Sequence, residues 1–163
     1  MCIRDRAKRD QSLKSVQIQF SLLAPDLGKQ LQVKKICEEN NIDFFAYSPL
    51  SFGILCIDPD KDQNEEKSFL RNALFENYKK PTYELRRCLK RIANQRSVSQ
   101  AQVAINWCCY QGAIPLVGMR KKSQVIDVSN VFKWNLNKSE FKVLQELSKK
   151  CLKKMPKNPF SSI

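Results

Sequence analysis

The stretch that decides the fold is Asp43-Phe44-Phe45-Ala46-Tyr47-Ser48-Pro49-Leu50-Ser51-Phe52-Gly53. An apolar, aromatic run from Phe44 to Tyr47 stops at Ser48-Pro49, and Gly53 follows. Proline cannot donate to a sheet ladder and glycine relaxes the backbone. The run therefore reads as a buried strand over 43–47 that opens into a functional loop. Helical patterns lie on both sides of it, which is the strand–loop–helix grammar of a parallel α/β protein. Proteins of that class bind their ligands in loops at the C-terminal ends of the strands.

Working back toward the N-terminus, Val16-Gln17-Ile18-Gln19-Phe20 alternates apolar and polar residues and predicts a strand. Between the two strands, 27–40 predicts a helix with Val33, Ile36 and Cys37 on one face, completing a βαβ unit. Residues 1–15 are basic and aperiodic. They lack the apolar core of a signal peptide, so 1–13 is expected to be a non-native or disordered start. The opening MCIRDR reads as a truncation or assembly scar.

Working forward, 49–80 is a long excursion with Pro59, an acidic patch over 58–66, and Phe69, Phe75 and Tyr78. A loop of that length in a compact domain is functional or mobile. Pro81-Thr82 opens a helix to about residue 95. Ser99-x-x-Gln102 is a capping box, stapled by Val98 and Val103. Its helix, 100–111, is apolar at Val103, Ala104, Ile105, Trp107 and Cys108, which implies burial, and Gly112 ends it. A short strand follows at 113–117. Gly118-Met119-Arg120 then leads to a helix over 122–130, and this basic turn beside a helix N-terminus suits a phosphate. Asn137-x-x-Glu140 is a second capping box, stapled by Leu136 and Phe141. Its helix runs to about residue 151 with Phe141, Leu144 and Leu147 inward, and 152–163 is a basic, frayed tail.

Bulk composition narrows the function classes. The 163 residues, 42% hydrophobic and 28% charged, describe one ordinary globular domain, and no run approaches the roughly 18–20 apolar residues of a membrane helix. The net charge of +13 raises the question of nucleic acid. However, residues 1–15 and 149–163 together supply +8 of it. A further group, Lys79, Lys80, Arg86, Arg87, Lys90, Arg91 and Arg96, reads as the solvated face of a helix whose inner positions are Leu85, Leu89 and Ile92. No aromatic sheet motif, zinc spacing or glycine clamp accompanies the charge, so nucleic acid is disfavoured as a partner. The seven cysteines contain no Cys-x-x-Cys pair and fall partly on apolar helix faces, which implies a reducing compartment. The chain has no histidine, so a zinc site completed by histidine and Ser-His or Cys-His catalysis are excluded within it.

Taken in order, the motifs resemble the C-terminal half of the aldo-keto reductase family, closest to the plant and algal type. Val16-Gln17-x-x-Phe20-Ser21-Leu22-Leu23 is similar to the family's fifth-strand motif. Ala46-Tyr47-Ser48-Pro49-Leu50-x-x-Gly53-x-Leu55 is similar to its sixth-strand motif. Gln102-Val103-Ala104-x-x-Trp107 resembles the seventh-helix signature. Ile114-Pro115-x-x-Gly118 with Gln124 resembles the segment that closes on the cofactor, and Trp134-x-Leu136 with Glu140 the helix after it.

The resemblance implies a (β/α)8 TIM barrel that uses NADPH/NADP+ without a metal. The part present would be a C-terminal partial barrel of about four βα units plus a terminal helix, spanning 14–151. It also implies that Gln17 bonds the nicotinamide carboxamide and that Tyr47 stacks on the nicotinamide ring. Ser48, Pro49, Leu50, Ser51 and Phe52 would border the pyrophosphate, and Arg71 would fold over the cofactor. Gly118, Arg120, Gln124 and Asp127 would hold the adenosine end, with Arg120 near the 2′-phosphate. A guanidinium offers several donors to a phosphate dianion, and an aromatic face supports a flat ring. By residue type alone, Tyr47 is a core side chain and Gln17 a strand-edge one. Lys121 and Lys122 beside Arg120 also fit a generic basic surface.

The sequence departs from the family pattern in places. Asp58 replaces a pyrophosphate lysine, which brings like-charge repulsion, and Val128 replaces an adenine-contacting asparagine. Val117-Gly118 stands where Pro-Gly is usual. The family's catalytic aspartate, tyrosine, lysine and histidine belong to the first half of the barrel, so no catalytic residue is assigned here. A full barrel takes about 250 residues. The expected reading is thus a fragment of a reductase of small-molecule carbonyl substrates, whose structural partner is the missing N-terminal half. The competing reading is a non-catalytic, reductase-like interaction protein or regulatory subunit. The expected location is cytoplasmic, or the plastid stroma if a transit peptide precedes the fragment.

Overall fold

The computed structural model describes residues 13–24, 27–60 and 76–153. The expected start, most of the basic tail, the bulk of the acidic excursion and Arg71 lie outside the described residues. Three strands form one parallel sheet: β1 (Ser15–Gln19), β2 (Asp43–Tyr47) and β3 (Ile114–Leu116), in the order β1-β2-β3. Helix α1 (Leu27–Glu39) makes the first crossover, while α2 (Tyr83–Arg96) and α3 (Gln100–Tyr110) lie on the second. After β3 come α4 (Lys122–Ser129), a 3-10 turn at Val131–Lys133, and α5 (Lys138–Leu152). Of the four βα units expected, three strands lie among the described residues, and they fit a partial barrel.

The register places Val16 beside Phe44, Ile18 beside Ala46, Gln17 beside Phe45 and Gln19 beside Tyr47. Phe45 and Tyr47 in turn face Ile114 and Leu116. Side chains alternate across a sheet, so Val16, Phe44 and Ala46 share one face, and all three are buried. The opposite face carries Gln17, Phe45, Tyr47, Ile114 and Leu116. There Ile114 is 43% exposed and Leu116 39% exposed. Apart from Gln19, which is buried, this mixed face is at least partly open, as the interior of an unclosed barrel would be.

The core centres on Trp107, which is fully buried. Its indole stacks on Phe20 at 5.3 Å between ring centroids and on Phe141 at 6.3 Å. Phe20 meets Phe44 edge-on at 5.3 Å. Each such aromatic pair adds about 0.5–1.5 kcal/mol beyond area burial. One ring therefore joins the end of β1 to α3 and α5.

Local signals set most of the element ends. Asn137 Oδ1 accepts from Glu140 N at 2.9 Å while Glu140 Oε2 accepts from Asn137 N at 2.8 Å, completing the expected box. The Ser99 box is only half made. Ser99 Oγ accepts from Gln102 N at 3.1 Å, but the Gln102 amide is engaged elsewhere. Helix α2 starts where Pro81-Thr82 put it, with Thr82 at the N-cap position but without a side-chain cap. Residues 76–79 are already helical, and Thr82 donates its hydroxyl to Tyr78 O at 2.6 Å instead of capping. Both α2 and α3 end in Schellman motifs. Val98 N bonds Ala93 O at 3.0 Å and Ala113 N bonds Cys108 O at 3.1 Å, with Ser97 (φ 54°) and Gly112 (φ 75°) left-handed.

Arg86 corrects the solvated-face reading of α2. It is 3% exposed and donates to Thr82 Oγ1 (3.1 Å), Lys79 O (2.8 Å) and Ile57 O (3.5 Å). A buried cation is tolerated where its donors are satisfied, and these oxygens do so.

Candidate nucleotide site at the strand ends

In a parallel sheet all C-terminal strand ends share one edge. The segments after β1, β2 and β3 therefore emerge side by side, carrying residues 20–24, 48–53 and 117–121. The second segment is the most constrained. Ser48 (φ 54°), Ser51 (φ 49°), Phe52 (φ 58°) and Gly53 (φ 94°) are left-handed, a conformation costing non-glycine residues about 1–2 kcal/mol each. Such strain persists only where surrounding bonds enforce it, and it clusters at functional sites. Here Ser51 N bonds Ser48 O and Gly53 N bonds Leu50 O, both at 2.9 Å.

A hydroxyl pair ties this turn to its neighbour. Ser21 Oγ and Ser51 Oγ are 2.8 Å apart, and Ser21 Oγ also accepts from Leu23 N at 3.1 Å. Ser51 is 6% exposed, so its hydroxyl supports the turn from inside, and Pro49 is buried as well. Phe52 is 50% exposed; Ser48 and Leu50 are partly buried. Gln17 and Tyr47 lie two registers apart on the open face of adjacent strands, Gln17 exposed and Tyr47 partly buried.

The third segment is open and basic. A Cβ added at Gly118 would meet nothing within 4 Å. Arg120, Lys121 and Lys122 are exposed, and none of them forms an ion pair among the described residues. Gln124 Oε1 accepts from the backbone N of Arg120 (2.8 Å) and Lys121 (3.0 Å), which shapes the entry to α4. Asp127, expected at the adenosine end, accepts from Ser99 Oγ and Gln102 Nε2, each at 2.6 Å.

Asp58 is not an isolated negative charge. Lys90 Nζ reaches its Oδ1 at 2.6 Å and Asp60 Oδ2 at 3.0 Å, and these hydrogen bonds raise the lysine's affinity for its proton. Like-charge repulsion toward a phosphate is correspondingly blunted. Ser21 was not singled out from the sequence, although it stands inside the fifth-strand motif. The Ser99–Gln102–Asp127 contact spans 25–28 residues and leaves no local signal.

Burial pushes the thiols of Cys37, Cys108 and Cys109 up, which keeps them from being nucleophilic thiolates. Among the described residues no group of three His, Cys, Asp or Glu side chains could hold a metal, and no helix is long and apolar enough to cross a membrane.

A parallel three-stranded sheet flanked by helices, with a strained turn and a basic turn at its strand ends, fits part of a parallel α/β barrel. The model of the aldo/keto reductase family matches residues 3–149, and the chain belongs to that family. Over 155 residues it is 34% identical to the chloroplastic pyridoxal reductase of Arabidopsis thaliana, covering 94% of this chain and 41% of that protein. It is 26% identical to an NADP(+) aldo-keto reductase of Schizosaccharomyces pombe, covering 86% of this chain and 43% of that one. It is 27% identical to an NADPH-dependent alpha-keto amide reductase of Saccharomyces cerevisiae, covering 80% and 35%. Among solved structures, a glycerol dehydrogenase from Gluconobacter oxydans superposes with a TM-score of 0.66 at 22% identity, over 91% of this chain and 46% of that one. The holo form of an aldo-keto reductase from Bacillus halodurans gives 0.57 at 18% identity, over 89% and 46%. The chain thus spans about two fifths of the length of the first of these relatives.

Proposed function

We propose that residues 14–151 are the C-terminal half of an NADPH-dependent reductase that converts aldehyde or ketone carbonyls to alcohols. The observation that carries this reading is the convergence, on one sheet edge, of the left-handed Ser48–Gly53 turn and the exposed basic Gly118–Arg120 turn. Two relatives of this chain carry NADP(+) or NADPH in their names. When bound, the dinucleotide supplies the hydride.

This chain's own residues bind and orient. Gln17 offers an amide to the carboxamide and Tyr47 an aromatic face to the nicotinamide. Ser48, Leu50 and Phe52 border the pyrophosphate, with Pro49 and Ser51 supporting them from beneath. Gly118 leaves room for close approach, Arg120 takes the 2′-phosphate and Gln124 shapes the turn. Arg71 lies outside the described residues, and a part for it in covering the cofactor rests on its motif position alone. The proton donor comes from the half-barrel that closes the open face. The location is cytoplasmic, or plastid stroma by analogy with the chloroplastic relative.

Titrating the 15N-labelled chain with 2′,5′-ADP tests this. Saturable shifts at the amides of Gly118, Arg120 and Gln124, weaker with 5′-AMP, are expected. Shifts confined to Arg87–Arg91, or none at millimolar ligand, overturn it. The alternative, a non-catalytic interaction protein, draws on Asp58 and Val128; the pairing of Asp58 with Lys90 removes much of its force.

A further inference from the structure

We propose that Asp127 is a positioning residue, resting on the nucleotide reading above: its carboxylate tethers α4 to the first turn of α3 and so places the Gly118–Gln124 turn. Helix α4 has eight residues and none of them is buried; Val125 and Ile126 are 50% and 57% exposed. A helix that short does not hold itself in place. Its own side-chain bonds are mostly local, as from Gln124 to Arg120 N and Lys121 N and from Ser129 Oγ to Ile126 O. Among the described residues, the hydrogen bonds that join an α4 side chain to another element are the two on Asp127.

Those two bonds are fixed from behind. Trp134 Nε1 donates to Gln102 Oε1 at 3.1 Å, and an indole N–H can only donate. The amide of Gln102, 4% exposed, is therefore oriented with Nε2 toward Asp127, and its partner has to be an acceptor. Ser99 Oγ accepts from Gln102 N, so its own proton is available to the other Asp127 oxygen. Ser99 caps α3, so the carboxylate also lies beside the positive end of that helix. Trp134 is itself held under the Arg96 guanidinium, 5.2 Å from ring centroid to Cζ. Both Asp127 oxygens thus accept from α3, and it is through α4 that the residue places the turn.

Hydrogen exchange on the full chain tests the tether. Asp127→Asn keeps one oxygen to accept from one of these donors and sets its amide N–H against the other. It should speed exchange across 122–129 by about tenfold, with 85–95 unchanged as the control for global folding. Adding Gln102→Glu re-creates the pattern in reverse: the asparagine amide donates to the new carboxylate, which still accepts from Trp134, while Ser99 donates to the asparagine oxygen. Exchange should then return to the wild-type rate, and affinity for 2′,5′-ADP, lost several-fold in the single variant, should return with it. Unchanged exchange in Asp127→Asn, or no recovery in the double variant, overturns the tether. If exchange behaves as stated but the wild type fails to titrate with 2′,5′-ADP, the tether stands and the nucleotide reading falls.

Discussion

Arg96 and Glu140, 44 residues apart, are joined by two parallel hydrogen bonds, Nε to Oε1 at 2.9 Å and Nη2 to Oε2 at 2.7 Å. The same glutamate accepts from Asn137 N and so caps α5, while the same guanidinium lies over Trp134. One ion pair thus links the end of α2, the start of α5 and the indole that orients Gln102. A bidentate pair in a network exceeds the usual surface value, and Arg96→Ala should cost on the order of 1–2 kcal/mol in urea unfolding. Arg96→Lys should recover only part, because an ammonium has no fork.

The same pair predicts acid sensitivity. Burial works to raise the Glu140 carboxyl, but the Arg96 bonds and the Asn137 amide outweigh it, leaving the carboxyl below its usual range. A depressed folded-state value means that the stabilisation is present above the unfolded glutamate value and disappears as pH falls through the folded one. Thermal melts taken downward from pH 5 should show Tm falling less steeply for Glu140→Gln than for the wild type. Equal slopes would remove Glu140 from the acid transition.

Asn106 offers a sharper stability test. It is 2% exposed and saturated: Nδ2 donates to Val131 O (3.1 Å) and Trp134 O (2.8 Å), and Oδ1 accepts from Leu136 N (2.9 Å). Asn106→Asp has nearly the same shape but points a carboxylate oxygen at two carbonyls. It should cost about 3 kcal/mol or more, read as a lowered urea midpoint. Asn106→Leu should cost less, since it adds no charge.

These interior ties mark where the sequence stopped being legible. The run from Phe44 to Tyr47, the Asn137–Glu140 box and the Gly112 stop are local patterns, and each appears where its spacing put it. The family resemblance, carried by motifs in order, is likewise confirmed. Gln102 had the right offset for a capping box, but a donor 32 residues away and an acceptor 25 residues away claimed its amide. Periodicity marks apolar residues, so it places Arg86 among the solvated cations. What buries it are carbonyls outside its helix, at Ile57 and Lys79, which no helical repeat encodes.

Arg86 predicts an order of variants. Removing it strands the Lys79 and Ile57 carbonyls, while keeping its volume preserves packing. Arg86→Ala should therefore be the most destabilising, by about 2–4 kcal/mol, with Arg86→Met intermediate. Arg86→Lys should also fall short, because one ammonium cannot reach three separated oxygens. Chemical denaturation of the three variants checks the ranking; a fully stable lysine variant would remove the geometric argument.

Two glycines separate fold from function. Gly112 is left-handed at φ 75°, and an added Cβ would meet its nearest neighbour, the Glu38 carboxylate, at an ordinary 3.5 Å. Gly112→Ala therefore suffers in the backbone alone, at about 1–2 kcal/mol. At Gly118 the space is empty and the backbone is not left-handed. Gly118→Ala should leave Tm unchanged or slightly raised, since alanine also restricts the unfolded chain. If Gly118 is where a nucleotide comes closest to the backbone, that variant should weaken the 2′,5′-ADP titration several-fold while melting normally. A Gly118→Ala chain that binds like the wild type would move the phosphate away from this turn, onto the Arg120 side chain alone.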